Sequence, residues 1–248
     1  MHWLFGTAVS EHELRSITPQ LDRGLSDPPR LVYAGRLSEE KGVLLLVEMM
    51  ALLKQRGVQP LPSLTVLGDG PLMGEMQRLR ERYGCGDCIE LPGYVDRTGL
   101  TERFLRADMS VQPSYTESMC KAWVDAMAHG LPVIATDVGS AQVTIGAGGE
   151  RGWIAPVGDA AALTDVVERA LRADVDWPAL RRRCRSYAES RTLERWGAAI
   201  ADRCSASWGC RLVEAHGVTW AARLQRRFSL PPWSQRGTAH AAELWGRS

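Results

Sequence analysis

Four charged side chains stand at spacings that suit binding of a phosphate-containing ligand. Arg36 and Lys41 lie five residues apart in GRLSEEKG, directly after the apolar run LVYAG. Glu117 and Asp125 lie eight residues apart in ESMCKAWVD, shortly before the apolar run PVIAT. Two cations beside the start of a helix form an anion site, since arginine supplies a planar fork of donors and lysine a movable charge. Two solvated surface charges are the open alternative for this pair.

The two carboxylates are predicted to lie on one helix. Ser114 or Thr116 in PSYTES would cap this helix, so that it begins near Glu117. Glu117 and Asp125 would then lie about 12 Å apart along the helix axis. This separation is too long for the acid pair of a glycosidase, but it suits a ligand with hydroxyls at both ends and a diphosphate between them. The open alternative is that Glu117 interacts only with the helix N-terminus.

Short β-rich runs alternate with segments of helical periodicity along most of the chain. The runs end in Gly, Pro, Ser or Asp, as buried strands do. We predict strands at 31–35, 64–68, 89–93, 109–113, 132–136 and 152–156. We predict helices at 43–56, 71–83, 98–107, 117–129 and 159–173. This alternation predicts an α/β fold with a mostly parallel sheet and helices on both faces.

The loops that follow the predicted strands are where a ligand should bind. In an open parallel sheet the ligand lies outside the carboxyl ends of the strands. The loops there are GRLSEEKG, GDGP, GYV, PSYTES and TDVGS, and four of these five contain glycine, which lets backbone amides approach a ligand. Arg36, Lys41 and Glu117 all fall in these loops, which favours a binding role for them.

These loops and helices resemble, in order and spacing, the carboxyl-terminal donor-binding domain of family 4 glycosyltransferases, which have the GT-B fold. The resemblance covers residues 31–173 and is carried by GRLSEEKG, GDGP, GYV, LTERFLRADMSVQPSYTES, DAMAHGLPVIATDVGS and GWIAPVGDAAAL. It implies a Rossmann-like half of a GT-B fold that belongs to a nucleotide-sugar-dependent glycosyltransferase. It also implies transfer of a hexosyl group, with retention of configuration, to a sugar or lipid-linked acceptor.

The resemblance assigns roles to the matching positions. Arg36 and Lys41 would hold the donor diphosphate, and Glu117 would contact hydroxyls of the transferred sugar, which makes these three the catalytic candidates. Asp125 stands where the family has a second glutamate that binds the ribose, and it is one methylene shorter. Lys121 would face the diphosphate, with a solvated helix position as the alternative. The other positions predicted to line the donor site are Gly68, Gly70, Tyr94, Val95, Met119 and Cys120.

Charge also indicates the mechanism that such a site would use. Cleavage of a sugar–phosphate bond leaves negative charge on the nucleoside diphosphate, so cations and amides placed there would stabilise the transition state. No metal ion or other cofactor is expected, since no D-x-D motif stands where a metal-dependent transferase of the other common fold carries one. UDP-, GDP- and ADP-sugars all stay open as donors.

Composition and cysteine content exclude several classes of protein. A net charge of +1 and 45% hydrophobic residues give no reason to expect nucleic-acid binding. No run approaches the roughly 20 apolar residues of a membrane helix, and MHWLFGTAVSEHE lacks the features of a signal peptide. Cys85 and Cys88 form one C-x-x-C pair, a weak zinc signal, so free thiols are the preferred interpretation. We therefore expect a cytoplasmic protein.

The chain is predicted to have three parts. Residues 1–30 form a short segment without an acceptor domain, 31–204 the donor-binding domain, and 205–248 a basic tail rich in Trp and Arg. Because a complete GT-B enzyme has two domains, a separate acceptor-domain chain is an expected partner besides donor and acceptor. A fragment, half of a two-chain enzyme and a non-catalytic nucleotide-sugar-binding subunit all stay open, as does a sugar-nucleotide epimerase.

The tail contains one amphipathic segment. In VTWAARLQRRF (218–228), Trp220, Leu224 and Phe228 fall near one helical face, and the arginines lie largely off it. Such a helix would lie on an anionic membrane and place the protein at its inner face. Docking on the protein itself and a terminus altered by a change of reading frame are the alternatives.

Overall fold

The computed structural model describes residues 9–146, 148–172 and 174–208 of the chain. The segment 218–228 and most of the predicted tail therefore lie outside the described residues. The chain divides into two compact units between Ile200 and Ala201. The second contributes only 201–208, the end of one helix, to the described residues. The predicted domain limits stay a prediction, although Val9 and Leu14 from the segment before residue 31 are buried in the core of the first unit.

Six strands in the described residues form one parallel sheet. They are β1 (Arg30–Ala34), β2 (Ser63–Leu67), β3 (Ile89–Gly93), β4 (Met109–Gln112), β5 (Val133–Thr136) and β6 (Gly152–Ala155). Their order is β3-β2-β1-β4-β5-β6, and each pair of neighbours runs parallel. Every residue of β4 and β5 is buried, as expected for central strands covered on both faces. The predicted α/β sheet is confirmed.

Eight α-helices lie in the described residues. They are α1 (Glu11–Ser16), α2 (Leu44–Gln55), α3 (Met73–Arg82), α4 (Arg97–Arg106), α5 (Lys121–Ala128), α6 (Ala160–Arg172), α7 (Trp177–Glu189) and α8 (Leu193–Trp208). Four of the five predicted helices match α2, α3, α4 and α6 to within two residues, whereas α1, α7 and α8 were not predicted. Helix α2 packs with α6, and α5 packs with α7. None of the described helices is long and apolar enough to cross a membrane.

The predicted start of the helix at 117–129 is wrong. Helix α5 begins at Lys121 with Cys120 in the N-cap position, and Glu117 lies in the preceding loop. The predicted cap at Ser114 or Thr116 is wrong as well, because the Ser114 hydroxyl donates to Oε1 of Glu117 at 3.1 Å. The predicted separation of about 12 Å along one helix therefore does not apply to Glu117 and Asp125.

A buried ion cluster ties the segment before β1 and helix α7 to the start of β4. Asp108 is fully buried and accepts hydrogen bonds from Arg23, from Arg181 at 3.3 Å and from the backbone amide of Arg30 at 2.8 Å. Arg181 also donates to the carbonyl of Gly130 at 3.4 Å. Burial lowers the pKa of Arg181 to about 10. The cluster positions α7, and with it the helix α5 against which α7 packs.

Candidate functional site

The loops at the carboxyl edge of the sheet are joined through their backbones. The amide of Leu37 donates to the carbonyl of Asp69 at 2.9 Å, and the amide of Gly68 donates to the carbonyl of Gly93 at 3.0 Å. Main-chain bonds therefore link the loops that follow β1, β2 and β3. We call these three loops the rim; they comprise residues 35–42, 68–71 and 94–96.

An ion pair connects the rim to the loop after β4. Lys41 Nζ donates to Oε1 of Glu117, whose side chain is 10% exposed. Ser114 Oγ donates to the same oxygen, and the amide of Tyr115 donates to the carbonyl of Glu40 at 2.9 Å. Lys41, predicted to bind the phosphate, and Glu117, predicted to bind the sugar, therefore meet at the carboxyl edge.

Two glycines permit the close packing that holds this loop. At Gly139, in the loop after β5, φ is +52°, and a Cβ atom would lie 2.2 Å from the carbonyl oxygen of Glu117. At Gly42, φ is +61°, and a Cβ atom would lie 2.1 Å from the carbonyl oxygen of Pro113. Only glycine combines this backbone conformation with such contacts. The backbone around Glu117 is thus fixed from both neighbouring loops.

Arg36 is exposed on the rim, and its backbone is fixed by a buried side chain of β1. Its carbonyl accepts a hydrogen bond from the hydroxyl of Tyr33 at 2.9 Å. Burial raises the pKa of Tyr33, so this phenol keeps the proton that it donates. Arg36 therefore presents a guanidinium to solvent from a fixed point of the main chain.

The residues that lead into α5 differ in exposure. Met119 and Lys121 are exposed, whereas Cys120 is buried, and this burial raises the pKa of its thiol to about 12. A protonated, buried thiol packs beneath the loop and does not act as a nucleophile. The first amides of α5, the helix that begins at Lys121, carry the partial positive charge of a helix N-terminus.

Asp125 lies inside α5 and is paired with an arginine that we did not select from the sequence. Its side chain is only 12% exposed, and Oδ2 accepts from Nη1 of Arg97 at 2.5 Å. Arg97 is the first residue of α4, directly after the rim, and its Nε lies 3.5 Å from a carboxylate oxygen of Glu13. The hydrogen bond to Asp125 raises the pKa of Arg97. Within the described residues, Oδ1 of Asp125 has no hydrogen-bond partner.

The other predicted lining residues lie on the rim. Gly68 and Gly70 approach the backbone of the loop after β1 so closely that a Cβ atom would lie 1.9 Å and 2.5 Å, respectively, from its carbonyl oxygens. Tyr94 is 79% exposed, and Val95 is half-buried against the core. An exposed aromatic ring at this edge is available to stack on a planar base.

The described acidic and thiol groups that could suggest a metal site have structural roles instead. Among the described residues, no three His, Cys, Asp or Glu side chains are arranged to hold a metal ion. Asp174 and Asp176 form a D-x-D sequence, but Asp176 caps α7 by accepting from the amide of Ala179 at 2.9 Å. Cys85 and Cys88 are buried free thiols, and burial raises the pKa of Cys88 to about 12.

A groove of about 580 Å³ lies away from the rim, between α4 and the face of β1, β2 and β3. None of the predicted site residues lines it. Its walls are largely polar and charged, and they include Arg30, Thr65, Glu90, Glu102 and Arg106.

The sequence is similar to known glycosyltransferases. Residues 22–191 match the family described as glycosyl transferases group 1. The amylovoran biosynthesis glycosyltransferase AmsK of Erwinia amylovora is 29% identical over 163 residues, which are 63% of this chain and 39% of AmsK. The alpha-D-kanosaminyltransferase of Streptomyces kanamyceticus is 29% identical over 160 residues, which are 64% of this chain and 40% of that protein. The chain thus spans about two fifths of the length of these relatives.

Solved structures share the fold. Sucrose-phosphate synthase from Thermosynechococcus elongatus superimposes with a TM-score of 0.63 at 29% identity, over 83% of this chain and 50% of that one. Anabaena HepE, solved in complex with UDP and glucose, superimposes with a TM-score of 0.60 at 18% identity, over 73% of this chain and 49% of HepE. The Rossmann-like fold predicted from the sequence is therefore confirmed. Since the family match covers most of the chain, this protein belongs to the glycosyl transferases group 1 family.

Proposed function

We propose that this chain is the donor-binding half of a nucleotide-sugar-dependent glycosyltransferase that transfers a hexosyl group to a sugar or lipid-linked acceptor. The observation that carries the proposal is the pairing of Lys41 with Glu117 at the carboxyl edge of the sheet. A cation for a phosphate and an acid for sugar hydroxyls are thereby adjacent, as a nucleotide-sugar requires. Membership of the family supports the same function.

The diphosphate would bind between the rim and the start of α5. Arg36 is exposed there, and Lys41 would exchange its bond to Glu117 for a bond to a phosphate oxygen. Glu117 would then be free to accept hydrogen bonds from the sugar. Because the leaving nucleoside diphosphate gains negative charge as the bond breaks, Arg36, Lys41 and the α5 amides would stabilise the transition state more than the ground state.

The nucleoside would bind near Tyr94, Val95 and Asp125. Tyr94 offers an exposed ring, and Val95 offers backbone groups beside it. HepE was solved with UDP and glucose, which makes UDP the first donor base to test, followed by GDP and ADP. Retention of configuration is a part of this proposal that follows from the family resemblance alone. Activity without a metal ion and a cytoplasmic location are further parts, and they rest on the motifs and the composition of the sequence.

Catalysis would also require an acceptor-binding part. A donor site alone holds only one reactant, and the rate advantage of orienting two reactants needs both of them bound. We therefore propose that transfer depends on an acceptor domain, either on a separate chain or in a longer form of this one.

The test is binding of nucleotides to the purified chain, measured by calorimetry and thermal stability. We expect one of UDP, GDP and ADP, with its hexose conjugate, to stabilise the chain by about 2.7 kcal/mol at a hundred times its dissociation constant, with EDTA present. Arg36→Ala and Lys41→Ala should abolish this effect. Arg78→Ala, which removes an exposed arginine of α3, is the matched control.

Two outcomes would reject the proposal. Absence of binding by all three nucleotides and their sugars removes the donor site. Binding that survives both Arg36→Ala and Lys41→Ala places it elsewhere. With an acceptor domain supplied, sugar on an acceptor supports a transferase, whereas an epimerised donor or bound but unreacted donor supports the two rival functions.

A further inference from the structure

Arg97, which lies outside the predicted site, donates a hydrogen bond to Asp125, the acid predicted to bind the ribose. Arg97 follows the rim directly and begins α4. Its Nη1 donates to Oδ2 of Asp125 at 2.5 Å, and its Nε lies 3.5 Å from Oε1 of Glu13. The guanidinium is thus held between acids of α1 and α5, and its side chain stays 40% exposed.

The two carboxylate oxygens of Asp125 have different surroundings. Oδ2 is bonded to Arg97, whereas Oδ1 is buried and has no hydrogen-bond partner in the described part of the chain. The side chain as a whole is only 12% exposed. A buried acceptor without a donor is unfavourable, so this site lacks one donor group.

The chemistry of the pair indicates which donor fits. Arg97 already supplies a positive charge to Asp125, so a second cation is not required to neutralise the carboxylate. A neutral hydroxyl would satisfy Oδ1 and form a charge-assisted hydrogen bond. A ribose carries two such hydroxyls, and a nucleoside bound beside Tyr94 and Val95 would bring them to this part of the site.

We propose that Arg97 is a positioning residue of the donor site: it holds Oδ2 of Asp125, which leaves Oδ1 oriented to accept a hydrogen bond from a ribose hydroxyl. The proposal rests on the proposed function. Because aspartate is too short to reach far, its orientation determines whether the hydroxyl is bound. Arg97 therefore acts through Asp125 and need not touch the ligand.

The experiment measures recognition of the hydroxyl separately from overall affinity. Calorimetry on the full chain compares UDP, GDP and ADP with their 2′-deoxy and 3′-deoxy counterparts. For the nucleotide that binds, we expect loss of one of the hydroxyls to weaken binding by about tenfold or more, as for a lost charge-assisted hydrogen bond.

Variants of Arg97 should remove this discrimination. In Arg97→Met the natural nucleotide should bind about tenfold more weakly, while its deoxy counterpart binds as it does to the unaltered chain. Arg97→Lys should restore part of the discrimination, since lysine keeps the charge but not the planar fork. Arg106→Met, an exposed arginine on the same helix, is the matched control.

The outcomes separate the proposal from its alternatives. Full discrimination in Arg97→Met overturns it. Equal weakening of natural and deoxy nucleotides overturns it too, and assigns Arg97 a purely structural role. If the unaltered chain binds no nucleotide, the proposed function fails and this inference fails with it; the first two outcomes leave the proposed function intact.

Discussion

Lys41 Nζ donates a hydrogen bond to Oε1 of Glu117, so that a cation of the rim and an acid of the loop after β4 neutralise each other. The pair is partly shielded from solvent, with the two side chains 27% and 10% exposed. Any phosphate that binds Lys41 has to compete with this carboxylate. If the proposed function holds, affinity for the nucleotide and engagement of the sugar are therefore coupled through one hydrogen bond.

Glu117→Gln should tighten binding of the nucleoside diphosphate while it lowers sugar transfer. Removal of the carboxylate charge frees Lys41 for phosphate, and the gain should be about threefold to tenfold for a partly shielded ion pair. Calorimetric titration with the diphosphate alone measures this effect. Glu39→Gln, at an exposed acid of the same rim, should change little. Weaker binding by Glu117→Gln would mean that Glu117 is needed to orient Lys41.

Gly139→Ala should destabilise the chain and weaken binding of the donor. The new methyl group would lie 2.2 Å from the carbonyl oxygen of Glu117, at a φ of +52°. We expect a loss of about 1–3 kcal/mol in the free energy of unfolding, measured in urea. Gly74→Ala is the control, because its Cβ meets nothing within 4 Å and alanine favours the helix by up to about 1 kcal/mol. Equal effects of both substitutions would contradict the prediction.

Asp108→Asn should be among the most damaging single substitutions. It removes the buried carboxylate that pairs with both Arg23 and Arg181, and so leaves their positive charge without compensation. A loss of about 3–5 kcal/mol is expected from chemical denaturation. Asp22→Asn breaks an exposed ion pair with Arg182 and should cost about 1 kcal/mol or less. A mild effect at Asp108 would indicate that the neutral amide satisfies the cluster.

Stability should fall as the pH rises above about 9, in part because of Cys184. Burial raises the pKa of this thiol to about 12, from 9.0 in an unfolded chain. Between these values the unfolded chain releases the proton and the folded chain keeps it, so rising pH favours unfolding. The contribution lost near pH 10 is about 1.4 kcal/mol.

Urea denaturation between pH 8 and pH 10, with reductant present, checks this dependence. Cys184→Ala should flatten the slope of the unfolding free energy against pH, even if it lowers stability at every pH. Cys204→Ala, at a half-buried cysteine, serves for comparison. An unchanged slope in Cys184→Ala would show that other groups cause the alkaline loss.

The sheet was predictable because each strand is a short apolar run bounded by Gly, Pro, Ser or Asp, a signal contained in a few neighbouring residues. Helix α7 was not predictable in the same way. Its sequence RRRCR looks like a solvated face, yet Arg181 is buried because Asp108, 73 residues earlier in the chain, provides a partner. Such distant compensation leaves no local pattern.

In the candidate site, too, residues with a local sequence signal were predicted, and residues that depend on distant partners were not. Lys41 and Glu117 were identified because they follow strands, and the sheet brings the ends of strands together. The predicted start of α5 was wrong because the hydroxyl of Ser114 donates a hydrogen bond to Glu117 and does not cap the helix. Arg97 was not predicted because the sequence pattern of an arginine at a helix start indicates a solvated side chain. Its partner Asp125 lies 28 residues away and leaves no local signal.

The rim has a consequence for how this kind of site evolves. Its shape depends on main-chain bonds such as those from Leu37 to Asp69 and from Gly68 to Gly93. A side chain that projects from it, such as that of Tyr94 at 79% exposure, contributes little to that shape. In the proposed donor site, substitutions at such positions would therefore alter which base is recognised at small cost in stability. A new donor preference would then arise by point mutation, with no compensating change in the core.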